Sequence, residues 1–498
     1  MTSAKTMATR TDSRFSAAAP AAEARIDECF HADAALLERL LSEAVSRGAD
    51  FADLYFERRE EWNLLLEQDV LRTASSGVMA GMGVHVLCGE RTGYAFTEDF
   101  TPESMMRAAR TASLIAAGGG AAPVIRLRDR PVRDLYPAGA VPPGAASGDG
   151  FAHRVDLLRR ASAAARGKEP RVTRVVAALR DEVKTVAVVT GEGGIFRDRQ
   201  PMLTFYVLVV AEEAGRGRVQ AHDSGGCRMG LEYFDRKPPE EFGREAARRA
   251  GLALGADPAP AGSLPVVLGP GASGVLLHEA VGHPLEADFN RKGLSRFCNR
   301  MGEKVASSLC TIVDDGTVAS SRGSLNVDDE GNATSSTTLI ENGVLVGFMQ
   351  DRLSSRLTGA KPTGNGRRQS YAHPPIPRMT NTYLPPGPHR PEEILRSVKR
   401  GVYAADFLGG QVDIAKGDFV FSASEAYLIE DGAITRPLRG MTLIGNGPDV
   451  MGRVEMVGND YRLSGQAGMC GKEGQLVPVD FGIPTVKISS ITVGGTEG

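Results

Sequence analysis

The sequence predicts an α+β protein, with a mixed α/β domain over residues 26–260 and a strand-rich domain over 261–498. Three observations predict it. Helical periodicity is confined to a few well-bounded segments, most of them before residue 260. The second half is dominated by strand patterns joined by hairpin dipeptides. Glycine is abundant, at 59 residues, while aromatics make up only 6%, which favours turns and tightly looped strands over long helices.

Residues 1–25 are small, polar and slightly basic and lack the apolar core of a secretory signal, so they read as a disordered tail. The fold begins near Ile26. In DAALLERLLSEAVSRGAD the apolar residues Leu36, Leu37, Leu40, Leu41, Ala44 and Val45 fall at helical spacing, with Asp33 as N-cap and Gly48 as the stop. FADLYFERREEWNLLLEQ reads as two strands around a charged turn, and GVMAGMGVHVLCGERTGYAFTED as strand, turn, strand. Thr101-Pro102-Glu103 opens a second helix, with proline at its first position. A Pro/Gly/Ala loop at 135–150 leads to a third helix through AHRVDLLRRASAAARG. Strands divided by glycine-rich turns fill 171–215, and PPEEFGREAARRAGLALGA forms a fourth helix. DPAPAGSLP then breaks the pattern, and the main domain boundary is placed there. Beyond it, SSTTLIENGVLVGFMQD and SEAYLIEDGAITRPL are hairpins that turn on Asn342-Gly343 and Asp431-Gly432. PEEILRSVKRG is a helix among strands, with acids first, bases last and Gly401 as its stop.

Composition excludes several classes. A hydrophobic fraction of 42% supports true cores, and 24% charged is ordinary for a soluble protein. The net charge of −3 offers no general attraction to nucleic acid or to an anionic membrane. No apolar run approaches the roughly 18 residues of a spanning helix. Six scattered cysteines without a CxxC point to reduced thiols and a cytoplasmic protein.

The chemistry concentrates in GVLLHEAVGHPLEADFN, residues 274–290, which holds His278, Glu279 and His283. Zinc proteases commonly carry H-E-x-x-H, whose two histidines lie about 40° apart around a helix. Here the spacing is H-E-x-x-x-H, and on a regular helix the rings would point about 140° apart. A π-bulge absorbs one extra residue and returns both to one face. Gly282 makes such a distortion cheap, and Pro284 pushes His283 away from regular helical geometry. A helix from about Ser273, bulged or ending near His283, is therefore expected. Two imidazoles do not complete a site; a catalytic zinc takes three protein ligands and keeps one position open. Glu286, Asp288 and a distant thiolate are the candidates for the third. Glu279 has the position of a glutamate that activates water beside the metal. The alternative is a helix whose His278 is a satisfied core residue and whose His283 caps its end.

LLHEAVGHPLEADFN resembles the metal motif of the TldD/PmbA family of bacterial and archaeal metallopeptidases. GNGRRQSYAHPPIPRMTNTY (364–383) and GMCGKEGQLVPVDFGIPTVKI (468–488) also resemble that family's TldD branch, and FADLYFERREEWNLLLEQD and GERTGYAF are weaker matches. The resemblance runs from about residue 30 to the end. It implies that His278, His283 and Cys470 bind the metal and that Glu279 is the general base or acid. Because the PmbA (TldE) branch lacks the histidine motif, it also implies the catalytic subunit type. Cys470 lies in a glycine-flanked turn that lets the backbone bring a thiol close to an ion, and Lys472 is placed to hold the thiolate's charge.

The expectation is a metal-dependent peptidase with a divalent ion, most simply Zn2+, acting on unfolded polypeptides or short peptides. One thiolate and two neutral imidazoles leave the site a net charge of +1. The resemblance implies a PmbA/TldE-like partner subunit or a homodimer around an enclosed cavity, with the first domain contributing cavity and interface. Two rivals stand beside it: a non-catalytic, metal-stabilised peptide-binding subunit with a closed four-ligand site, and a metal-dependent hydrolase of non-peptide amides. The arginines of 364–383 are read either as holding a peptide carbonyl or carboxylate or as solvated charges on a rigid surface loop, and His373 as a candidate for the oxyanion.

Overall fold

The computed structural model describes residues 30–117, 125–137 and 148–495. The tail expected over 1–25 lies outside the described residues, as does much of the loop at 135–150. The first half is one sheet built on very long antiparallel strands, with one short parallel strand at its edge. Arg91–Thr97, Val70–Cys88, Phe51–Glu67, Val172–Thr190 and Gly194–Glu213 lie side by side, and Gly217–Cys227 and the short Arg128–Asp129 share the outer edge of the last.

Period-2 alternation assigns the two faces of this sheet. Along Phe51–Glu67, Ala52, Leu54, Phe56, Leu64 and Leu66 are all buried on one face. The helices Ala34–Val45 and Pro102–Ile115 cover one end of that face, and Gly148–Lys168 and Pro239–Leu254 cover the other. Local signals set these helices. Asp33 Oδ1 accepts from Leu36 N at 2.8 Å, and Thr101 caps the helix that opens with Pro102. The alternate residues Asp53, Tyr55, Glu57 and Arg59 face the C-terminal half, where Arg368 Nη2 meets Asp53 at 2.8 Å and Arg59 donates to the carbonyl of Gln369 at 3.0 Å.

The first of these strands corrects the expectation of two strands around a charged turn: Phe51–Glu67 is one strand of 17 residues. The run Arg58–Glu61 makes no turn because its charges are neutralised within the sheet. Arg59 pairs with Glu57 at 3.0 Å and Glu61 with Arg180 of the neighbouring strand at 2.6 Å.

In the second half, Arg400–Asp413, Gly262–Leu268, Val486–Gly494, Thr442–Asn446 and Asp418–Glu430 are consecutive neighbours. The last also pairs with the first, so five strands close a circuit. A six-stranded sheet includes Ile312–Asp315, Asn381–Tyr383 and Asp480–Ile483. Both hairpins turn where expected, with φ of 48° and 84° at Asn342-Gly343 and 47° and 79° at Asp431-Gly432. The helix Pro391–Arg396 is shorter than its pattern, and Gly401 does not stop it. Gly401 sits inside a strand, where a Cβ would come within 2.5 Å of the Pro265 carbonyl. The histidine segment is buried in the main core, with Leu276, Leu277, Ala280, Val281 and Leu285 packed among residues of both sheets. No helix among the described residues is long and apolar enough to cross a membrane.

Candidate metal centre

The segment that carries HEAVGH changes pitch three times. A 3-10 turn at Ala272–Gly274 leads to α-helix at Val275–Leu277, a π-turn at His278–Gly282 and a second 3-10 turn at His283–Leu285. The π-turn takes up the extra residue between the histidines. Their rings meet edge to face with centroids 5.1 Å apart. A Cβ at Gly282 would lie 2.1 Å from Met379 Sδ, so a side chain there displaces that buried methionine. Gly447 presses on the same turn, where a Cβ would come within 2.4 Å of the Ala280 carbonyl.

Cys470 arrives from nearly two hundred residues away. It lies in the strand Met469–Lys472, paired with Gln475–Pro478, and the turn falls at Glu473-Gly474. The thiol is thus presented by a strand and not, as expected, by the turn itself. One donor atom from each of His278, His283 and Cys470 lies within 4.8 Å of the others, all three residues are buried, and Sγ is 3.2 Å from His283 Nε2. Two imidazoles and a thiol are a donor set suited to zinc. The buried Nδ1 of His278 has no hydrogen-bond partner among the described residues, so a ring nitrogen is left for a ligand. Burial favours the neutral thiol of Cys470, but His278 and His283 override it and hold its pKa well below the usual thiol range. Burial likewise opposes charge on His283, yet Glu286 and Cys470 raise it well above the ordinary histidine range. The donors fit a divalent cation: a thiol whose ionised form is favoured stands between two imidazoles, and such ligands bind a metal as thiolate and neutral ring. Glu279 is half-buried beside them, with Oε2 3.9 Å from His283 Nε2.

Glu286 and Asp288 stand behind this cluster and not in it. Glu286 Oε2 accepts from His283 Nδ1 at 3.1 Å, which leaves Nε2 as the ring atom facing Cys470. Lys472 turns away from the expected thiolate contact: its ammonium lies 2.7 Å from Asp288 Oδ1 and 3.1 Å from Glu286 Oε2. Lys472 therefore acts on His283 through Glu286. With Lys472 and His283 nearby, Glu286 is held at about 2 despite full burial.

The arginines of 364–383 are not solvated charges on a surface loop, because all three are buried and bonded within the protein. Arg367 donates to the carbonyls of Met379 and Pro478, Arg368 to Asp53 and the Asp329 carbonyl, and Arg378 to the carbonyls of Cys470 and Gln475. Arg378 thereby fixes the backbone that carries the thiol. His373 is partly exposed and bonds Ser370 of its own loop at 2.9 Å. Sequence reasoning missed Glu286 as the partner of His283 and Arg378 as the clamp on Cys470. The three-residue spacing from His283 to Glu286 was the available signal for the first; nothing local signalled the second.

Comparison with known proteins agrees along the chain. Residues 52–116 match the PmbA/TldA metallopeptidase domain 1, 147–254 the central domain and 261–495 the C-terminal domain. A metalloprotease TldD homolog of Buchnera aphidicola is 42% identical over 92% of this chain and 95% of its own length. One of Haemophilus influenzae is 43% identical over 91% and 94%. A zinc metalloprotease TldD homolog of Saccharolobus solfataricus is 34% identical over 58% of this chain and 64% of its own. Among solved structures, a Thermotoga maritima protein superposes with a TM-score of 0.75 at 23% identity, over 92% of this chain and 99% of that one. TldE from Thermococcus kodakarensis superposes with 0.70 at 20%, over 92% and 100%. With curated metalloproteases aligned over more than nine-tenths of this chain and all three domain models matched in order, the chain belongs to the PmbA/TldD family of metallopeptidases.

Proposed function

We propose that the chain is a metal-dependent peptidase of the TldD type, with His278, His283 and Cys470 as ligands of a divalent ion, most simply zinc, and Glu279 as general base. The observation that carries this is the convergence of three buried donors within 4.8 Å, with a half-buried carboxylate beside them. When bound, such an ion acidifies a water and polarises a carbonyl oxygen. Glu279 takes the proton of the attacking water at its carboxylate and returns it to the leaving amine, so one group serves as base and then acid. Glu286 fixes the ring of His283, and Arg378 fixes the Cys470 backbone. The substrates are unfolded polypeptides or short peptides in the cytoplasm. A PmbA/TldE-like subunit or a second copy completes the working particle, with the domain over 26–260 lining its cavity and interface.

The non-catalytic rival requires a fourth protein ligand. Glu286 and Asp288 are engaged by His283 and Lys472, which weighs against it. The test is cleavage of an unfolded polypeptide by wild type and Glu279→Gln, with metal content measured and any co-encoded partner added. Metal retained with turnover abolished supports the reading. Equal cleavage by both proteins sinks Glu279 as the base, and absence of metal from both sinks the centre. Turnover of small amides in preference to peptides would favour the non-peptide hydrolase.

A further inference from the structure

A cavity of about 150 Å³ lies between the long sheet and the C-terminal half, on the face of the sheet away from its helices. Seven cationic side chains line it against two carboxylates, Glu182 and Asp329. Part of that charge is answered nearby. Arg59 pairs with Glu57, Arg180 with Glu61 and Arg368 with Asp53. Three more guanidiniums, Arg228, Arg322 and Arg367, have no carboxylate at ion-pair distance among the described residues, and each is at most 3% exposed; carboxylates act on them only from further off, Asp198 on Arg228, Glu182 and Asp480 on Arg322, and Asp329 and Asp314 on Arg367. Their partners are neutral. Arg322 donates to the carbonyls of Gly468 and Leu203 and to Thr204 Oγ1, and Arg367 to the carbonyls of Met379 and Pro478. Arg228 lies over the Tyr136 ring at 5.3 Å, and its Nε has no hydrogen-bond partner among the described residues. Burial pushes both Arg322 and Arg367 down to about 10, outweighing the carboxylates that act on them from a distance.

Buried charge without a partner is strongly disfavoured. Three such charges around one cavity, none with an acid in direct contact among the described residues, make the cavity a place where a ligand's oxyanion would supply the contact. Guanidiniums are suited to it, since their planar donors match the oxygens of carboxylate and phosphate. The volume admits one such group with a few neighbouring atoms. The position is informative as well. Met469, Val477 and Pro478 form part of the wall, and Val477 is the cross-strand neighbour of Cys470. The cavity thus lies against the hairpin that presents the thiol.

We propose that this cavity is an oxyanion subsite lined by Arg228, Arg322 and Arg367, and that it takes a carboxylate of the bound peptide, either its C-terminus or an acidic side chain. The identity of the ligand rests on the peptidase reading; the binding of an oxyanion does not. Two arms separate them. In the first, thermal unfolding of the whole protein is followed in millimolar inorganic phosphate against chloride at equal ionic strength. Wild type gains roughly 2 °C or more, and Arg228→Met gains nothing, while Arg228→Lys keeps part of the shift. In the second, a peptide with a free C-terminus or an acidic residue is compared with its amidated, neutral counterpart. The acidic form has a KM at least about tenfold lower in wild type, phosphate competes with it, and the preference collapses in Arg228→Met. A phosphate shift with no peptide preference assigns the site to a free oxyanion and removes the substrate carboxylate. A phosphate shift in a protein that cleaves no peptide upholds the subsite while the peptidase reading fails. No shift and no preference in wild type overturns the subsite, whether or not the variants fold.

Discussion

Glu286 gives the sharpest test of how the centre is held. Replacing it by Gln keeps the shape and removes one buried negative charge. In the structure that charge lies 3.1 Å from His283 Nδ1, 3.1 Å from Lys472 Nζ and 3.9 Å from Arg378 Nε, at a residue with no exposed surface. At an effective dielectric of about 20, one unit pair at about 3 Å is worth roughly 5 kcal/mol before desolvation is subtracted. Removing one member of a buried pair costs about 3–5 kcal/mol. Lys472 keeps Asp288 at 2.7 Å, so the loss falls at the low end, about 3 kcal/mol in the metal-free protein. The second effect is on metal. Without the carboxylate on Nδ1, the His283 ring loses its fixed orientation and part of its basicity, and affinity falls about 10–100-fold. Zn2+ affinity by competition with a chromophoric chelator and urea unfolding of the metal-free protein measure the two effects separately. Zinc affinity within twofold of wild type, together with an unchanged urea midpoint, would refute the placement of Glu286 behind His283.

Other predictions follow from single contacts. Gly447→Ala drives a methyl into the Ala280 carbonyl of the π-turn, so it lowers stability by about 1–3 kcal/mol and weakens zinc binding together with it; loss of one without the other contradicts the coupling. Arg248, bonded to Glu245, lowers the Glu245 pKa from 4.5 to about 2. A depressed folded pKa means that this contribution is complete above about 4.5 and is lost as pH falls through about 2, so Glu245→Gln flattens the acid limb of a stability–pH profile in that window. Burial pushes the thiols of Cys227 and Cys310 up to about 12, so at pH 8 iodoacetamide labels them far more slowly in the folded protein than after unfolding, as peptide mass spectrometry can follow.

What could be read from the sequence was what is decided locally. Asp33 and Thr101 cap the helices they precede, and Asn342-Gly343 and Asp431-Gly432 turn their hairpins, because those choices depend on a few adjacent residues. The irregular spacing of HEAVGH was legible for the same reason: a helix has few ways to absorb one residue, and a π-turn is one. What failed depends on partners far along the chain. Arg58–Glu61 resembled a turn because Arg180, which neutralises Glu61, comes 119 residues later. Lys472 was assigned to the thiolate because Cys470 is its near neighbour in sequence, whereas Glu286 and Asp288 hold it in space. Cys470 itself was distinguished from five other cysteines only by resemblance to a family, since nothing in GMCGKEG separates a ligand from a buried structural thiol.

The hairpin Met469–Pro478 separates two regions of opposite electrostatic character. Toward the histidines, side chains alternate so that Cys470 and Lys472 both point inward, and the acids there are matched by Lys472, Arg378 and His283. Toward the long sheet, Met469, Val477 and Pro478 border a cavity lined by seven cationic side chains, of which Arg228, Arg322 and Arg367 have no acid in direct contact among the described residues. Arg322 belongs to the second region but grips the first, since it donates to the Gly468 carbonyl at 2.9 Å, two residues before Cys470. An anion seated in the cavity therefore draws on the same guanidinium that fixes the approach to the thiol. The ligand shell is thus braced by charges on separate chain segments, and on the proposed reading the side of the hairpin where guanidiniums lack a contacting acid is the side that a negatively charged substrate group would approach.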